Sequence, residues 1–289
     1  MNTRFADTAF GRIEYLDRGA GAPVLVLHGS PGGHDQGALM AEFLVQAGLR
    51  AIVPSRPGYL GSELTEANRS LDGSADALAA LMAGLGFDRF GVLCWSGGGP
   101  SSYRLALRHG EPLTALVALA AVSERYDWQP AGDQRFMFGT ALGNWLLKLL
   151  REHAPHKLVE ATLDAEEDLP KAELEALVEQ VWADPAKRRF VLELAGTVSW
   201  RGSRQPGFDN DMANFAAIED LELEHIAVPT LLVQGRLDTD VLPRHSESAA
   251  ARIAGAQLQW VERAGHLAAF ADPHSATVQA RIVEFLKRA

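Results

Sequence analysis

Short runs of leucine and β-branched residues, each halted by glycine or proline, alternate along much of the chain with segments whose apolar residues return every three or four positions. Pro23 to His28, Arg50 to Val53, Phe90 to Cys94, Leu113 to Ala121, Pro229 to Gln234 and Gln257 to Val261 are of the first kind and predict strands. The fullest of them, such as Pro23 to His28, are apolar at successive positions, which suits strands buried on both faces. Between them, Asp35 to Gly48 carries Leu39, Phe43 and Leu44 at helical spacing. A second helix, with Ser74 as its cap, places Ala75, Leu78, Leu81, Met82 and Leu85 on one stripe. A third starts at Pro100, tolerated in a first turn where its missing N–H has no partner, and runs to His109-Gly110. A last helix carries Val278, Ile282 and Phe285. This alternation predicts an α/β fold, a mostly parallel sheet with helices on both faces.

The rhythm breaks in the middle. From about 123 to 228 the pattern is helical throughout, with Phe138, Leu142, Trp145, Leu146 and Leu149 on one stripe and Leu174, Leu177, Val178, Val181 and Trp182 on another. A segment of that length is far too long for a connection, since loops run to roughly 4–6 residues. The expected organisation is therefore a core domain from residues 1–122 and 229–289, with 123–228 inserted as a helical cap.

Between the strand ending at Cys94 and the helix starting at Pro100 stands Trp95-Ser96-Gly97-Gly98-Gly99. A serine at a sharp strand-to-helix turn has its hydroxyl pushed out of the sheet edge. The helix start behind it offers free N–H groups to a developing oxyanion. A serine-capped glycine turn would account for the segment taken alone. A hydroxyl needs a base, and the base an orienting acid. His266, in Ala264-Gly265-His266, follows the strand Gln257 to Val261, and Asp238, in Gly235-Arg236-Leu237-Asp238, follows Pro229 to Gln234. Asp240 is the alternative acid. Parallel strands end on one edge, so loops after three of them can meet where open α/β sheets bind ligands.

Composition narrows the partners. Lys and Arg number 27 against 37 Asp and Glu, a formal charge of −10, which disfavours nucleic acid. The single cysteine, Cys94, forms no internal disulfide and reads as a buried thiol. The longest apolar stretch, Leu113 to Val122, falls short of the ~20 residues a span requires, and the opening residues show no apolar leader core. A cytoplasmic protein acting on a small molecule is expected, without membrane or nucleic-acid partners. The oligomeric state is not legible. His153 and His156 lack companions that would complete a metal set, and no metal or other cofactor is expected. The run Asp164-Ala165-Glu166-Glu167-Asp168 reads as a solvated helix start.

Four segments in order, His28-Gly29-Ser30-Pro31-Gly32-Gly33, the turn around Ser96, Gly235 to Asp238 and Gly265-His266, resemble those of the α/β-hydrolase fold superfamily. The loop Arg56-Pro57-Gly58-Tyr59-Leu60-Gly61-Ser62 is similar to the one after that family's fourth strand. The resemblance implies Ser96 as nucleophile, His266 as general base and then acid, Asp238 as the residue fixing the imidazole, and the N–H groups of Ser30 and Gly97 as the oxyanion hole. It departs at Cys94, where the G-x-S-x-G pattern has its first glycine. It implies a cofactor-free serine hydrolase of small carboxylic esters, working through an acyl-enzyme. Among the apolar residues of the insertion, some of Phe136, Met137, Phe138 and Trp200 are expected to line the substrate pocket, and Trp95, Phe138 and Trp200 are the expected substrate contacts. A proline iminopeptidase-like aminopeptidase is the alternative, its amine held by cap carboxylates among Glu173, Glu175, Glu179 and Glu193. Carbon–carbon hydrolases, perhydrolases and non-catalytic binding proteins share the fold. An aspartate nucleophile, as in haloalkane dehalogenases, is disfavoured by Ser96.

Overall fold

Strand residues that alternate between two cores organise the molecule. In the computed structural model, which describes residues 3–129 and 132–288, β3 (Pro23–Leu27) sends Val24 and Val26 into one apolar cluster and Leu25 and Leu27 into the other. The first cluster packs under α1 (His34–Met40), α2 (Glu42–Gln46) and α12 (Ser275–Arg288). The second packs under α3 (Leu71–Gly84), α4 (Gly99–Arg108) and α11 (Arg244–Arg252). Burial on both faces is what the unbroken apolar runs require. Met1, Asn2, Pro130, Ala131 and Ala289, the first two belonging to the segment read for a leader, lie outside the described residues.

The sheet has eight strands in the order β1-β2-β4-β3-β5-β6-β7-β8. The predicted runs supply β3, β4 (Arg50–Pro54), β5 (Phe90–Trp95), β6 (Leu113–Leu119), β7 (Thr230–Gly235) and β8 (Gln257–Val261), paired in parallel. Two strands were not foreseen. β1 (Arg4–Thr8) and β2 (Gly11–Gly19) form an antiparallel hairpin that pairs β2 with β4. Charged residues interrupt their apolar pattern, yet Glu14 is buried there because its carboxylate accepts from Gly61 N–H at 2.9 Å and Ser55 Oγ–H at 3.2 Å.

Two local expectations need correction. Ser70, not Ser74, caps α3: its Oγ accepts from Gly73 N–H at 3.0 Å, while Ser74 lies inside the helix. The helix expected from Asp35 to Gly48 is two short helices meeting at Ala41.

Between β6 and β7 lie α5 (Gly132–Gly139), α6 (Ala141–His153), α7 (Pro155–Glu166), α8 (Lys171–Ala183), α9 (Pro185–Leu194) and α10 (Gln205–Ala216). Helices α7 to α9 bury Val159, Leu163, Val181 and Val191 in the first sheet cluster, and the end of α10 buries Phe215 in the second. Helix α5 buries no residue and α6 only Gly143. Leu142 and Trp145 are more than half exposed.

Candidate active site

Strand β5 delivers Ser96 in a left-handed conformation, φ +52°, before a single 3₁₀ turn, Ser96–Gly98, leads into α4. Such a backbone costs a non-glycine residue of order 1 kcal/mol and persists only where packing imposes it. Packing does so here. A Cβ on Gly97 would stand 2.2 Å from Ser30 Oγ and 3.1 Å from Ser30 N, and one on Gly98 2.8 Å from His28 O. The turn therefore lies directly against the loop 28–33. Cys94, at the position where the motif has glycine, points into the second core and is fully buried. Burial pushes its thiol up to about 12, so it stays protonated.

The loop 28–33 is fixed from beneath by Arg56. Its guanidinium, 2% exposed, donates to His28 O at 3.1 Å, Gly29 O at 3.0 Å and Ser30 Oγ at 2.8 Å. Asp211 on α10 answers that charge with both oxygens, at 2.9 and 2.7 Å, and also accepts from Tyr59 OH at 2.6 Å and Ser30 Oγ–H at 2.5 Å. His28 is neutral: burial, then the neighbouring Arg56, hold it well below its usual value. Its Nδ1–H donates to Gly29 O, leaving Nε2 to accept from Arg56 N–H at 2.9 Å.

The loops after β7 and β8 bring the acid and the imidazole together. Asp238 Oδ2 accepts from His266 Nδ1–H at 2.9 Å and from Gln234 Nε2 at 2.8 Å. Its Oδ1 accepts the backbone N–H groups of Asp240 and Val241 at 3.0 and 2.9 Å. Four bonds at a fully buried side chain hold this carboxylate in one orientation. Asp240, the alternative acid, lies on the other side of the ring, its Oδ2 3.4 Å from His266 Nε2 and its Oδ1 receiving Tyr126 OH at 2.9 Å. Nε2 makes no hydrogen bond. Burial would depress this histidine, but Asp238, Asp240 and Glu166 outweigh it and raise it to about 10.

Trp95 is 5% exposed and supports His266 directly. Its ring lies 4.9 Å from the imidazole, and its Nε1–H donates to His266 O at 3.3 Å. Phe138 and Trp200 meet each other at 5.9 Å between ring centroids, in a cluster completed by Trp128 and Phe208. The neighbouring Arg204 donates to Gly32 O at 2.7 Å, tying that segment to the loop 28–33. Of the carboxylates weighed for holding an amine, Glu173 pairs with Arg263, Glu175 with Lys171 and Glu179 with His156, and Glu193 is exposed.

The acidic run corrects the sequence reading most sharply. It ends α7 instead of starting a helix, and it is not solvated as a whole: Glu167 is 4% exposed. Glu166 O accepts His266 N–H at 3.1 Å, and Asp168 N–H donates to Leu237 O at 3.0 Å. A Cβ on Gly265 would strike Glu166 O and Glu167 Cγ, each at 2.2 Å, so only glycine lets this segment lie against the histidine loop. Burial raises Glu167 to about 7. Burial, opposed by His266 and assisted by Asp240 and Asp238, raises Glu166 to about 8. Five consecutive residues with four charges gave no hint of this, because burial depends on the far loops they meet.

A model of the alpha/beta hydrolase fold family matches residues 22–273. An alpha/beta hydrolase fold protein from Nakamurella multipartita is 49% identical, with a TM-score of 0.96 and 99% of both chains covered. The uncharacterized hydrolase YcgS of Bacillus subtilis (strain 168) is 28% identical over 269 residues, 89% of each sequence. A thermophilic esterase from Thermogutta terrifontis shares the fold at 21% identity, with a TM-score of 0.64 over 100% of this chain and 99% of its own.

Proposed function

The chain belongs to the alpha/beta hydrolase fold family, and from that premise we propose a serine hydrolase cleaving small carboxylic esters through an acyl-enzyme. The observation that carries this reading is the fixed pair Asp238–His266, whose imidazole packs on Trp95, the residue before a strained serine whose turn rests on the loop 28–33. Ser96 attacks the ester carbonyl as His266 Nε2 takes its proton. The backbone N–H groups of Ser30 and Gly97 receive the oxyanion, and the alcohol leaves with the proton from His266. Water activated by the same nitrogen then releases the acid. Asp238 keeps Nδ1 protonated throughout, so that Nε2 is the basic nitrogen. Helices of residues 123–228 serve as the cap, with the aromatic cluster around Phe138 and Trp200 contributing to the acyl or alcohol pocket. Ser96 and His266 are 6% and 3% exposed, which favours a compact substrate enclosed during turnover.

The test is turnover of short-chain p-nitrophenyl esters together with labelling by a fluorophosphonate. Ser96→Ala is expected to lose labelling and at least about 10³-fold in kcat. A Ser96→Ala protein with wild-type turnover overturns the assignment.

A further inference from the structure

On the outer side of the imidazole, away from Asp238, the catalytic histidine meets two carboxyl groups for which ester hydrolysis has no stated use. Oxygen atoms of Glu166 and Asp240 and a nitrogen of His266 all stand within 4.8 Å of one another. The histidine side chain is 2% exposed, and its Nε2 and Glu166 Oε2 are both buried without a hydrogen bond. We propose that these three side chains form a binding site for a divalent transition-metal cation of zinc-like chemistry. On the hydrolase reading above, its occupancy inhibits the enzyme reversibly.

Three observations favour a metal ion here. Two ligands of a tetrahedral ion with bonds of about 2.1 Å stand about 3.4 Å apart. His266 Nε2 and Asp240 Oδ2 are separated by 3.4 Å. Second, the outer partners are already present. Asp238 holds Nδ1–H, which fixes the ring and turns Nε2 outward, and Tyr126 OH holds the other oxygen of Asp240. A carboxylate behind a ligating histidine is the arrangement that orients metal-bound imidazoles. Third, Asp238 and Asp240 stand at the two nitrogens of one imidazole with a Glu166 oxygen within reach, a set of carboxyl oxygens that suits a dication. Glu166 is tethered at its carbonyl by His266 N–H, which holds this residue next to the histidine loop.

Coordination occupies the Nε2 lone pair and releases any proton held there to solvent. The nitrogen that would take the Ser96 proton is then engaged, and turnover stops until the ion leaves. The site is distinct from the His153 and His156 pair considered in the sequence, where His156 instead contacts Glu179 and Trp182 on the surface.

Binding is measured with cobalt(II) as a spectroscopic probe on the Ser96→Ala protein, so that the readout does not depend on turnover. The expected result is a saturable one-to-one visible absorption of a low-coordinate cobalt site. Glu166→Gln and Asp240→Asn, each checked for folding by thermal melting, are expected to weaken it by about tenfold or more. Absence of saturable binding overturns the site, as does a signal unchanged in both variants or one lost in His156→Ala. In the wild type, zinc is expected to suppress ester turnover and a chelator to restore it. Cobalt binding without any ester turnover would leave the metal site standing and reject the ester reading; unimpeded turnover with the site saturated would reject the inhibition.

Discussion

Replacing Asp211 by asparagine removes one charge from a buried pair and leaves Arg56 at 2% exposure without its counter-ion. Asp211 receives four hydrogen bonds, from Ser30, Tyr59 and twice from Arg56. Breaking a buried ion pair on one side costs about 3–5 kcal/mol. The amide keeps the shape and one acceptor oxygen, which places Asp211→Asn near the lower limit, about 3 kcal/mol, and Asp211→Ala near the upper. At roughly 2 °C per kcal/mol for a chain of this size, the asparagine variant should melt about 6 °C lower. Urea unfolding at neutral pH and calorimetry measure both quantities. The double variant Arg56→Met with Asp211→Leu should recover much of the loss, because replacing both partners removes the stranded charge. Since Arg56 also grips Gly29 O and Ser30 Oγ, ester turnover should fall mainly in kcat, with KM little changed. A stability within about 1 kcal/mol of wild type for Asp211→Asn would refute the reasoning.

Three further outcomes follow from the same geometry. With His266 raised to about 10 by its carboxylates, kcat/KM should climb about tenfold per pH unit above neutrality, and Asp240→Asn should move that limb to lower pH; a profile flat from about pH 7 to 9 counts against this base. Gly97→Ala should cost about 10²-fold or more in kcat, because its Cβ would push Ser30 away from the turn; steady-state kinetics on purified, folded variant decides it. Stability should decline as pH rises. His266, raised, contributes fully below its unfolded value and loses that contribution as pH rises through about 10. Glu166, favoured as the neutral acid, loses its own between the unfolded range and about 8. Melting curves of Glu166→Gln should therefore show a flatter decline from about pH 5 to 8 than the wild type, and an identical decline would exclude the buried acid.

β3, β5 and β6 were legible because burial on both faces leaves their runs almost wholly apolar, whereas β8, with Gln257 and Gln259, is only half-buried and was legible from its place at the end of the alternation. β2 was not, since its buried Glu14 looks like a surface residue until Gly61 and Ser55 arrive to satisfy it. Ser96, Asp238 and His266 could be picked out because each follows a strand at a glycine-marked turn. Arg56 was seen only as part of a loop motif, and Asp211 gave no signal at all. Its role depends on where α10 docks, 155 residues away in sequence, and no local pattern encodes that. Glu166 and Glu167 were misplaced for the same reason.

The backbone bonds from Glu166 and Asp168 to the histidine and acid loops bear on how a molecule gets in. A covering segment stitched at that corner has no freedom to swing away whole. The slack lies in the hairpin of α5 and α6, which buries almost nothing beneath it and shows Trp145 to water. On the ester-hydrolase reading proposed above, exchanging that hairpin alone is thus the route to altering which guests are admitted, with the proton-handling corner left undisturbed.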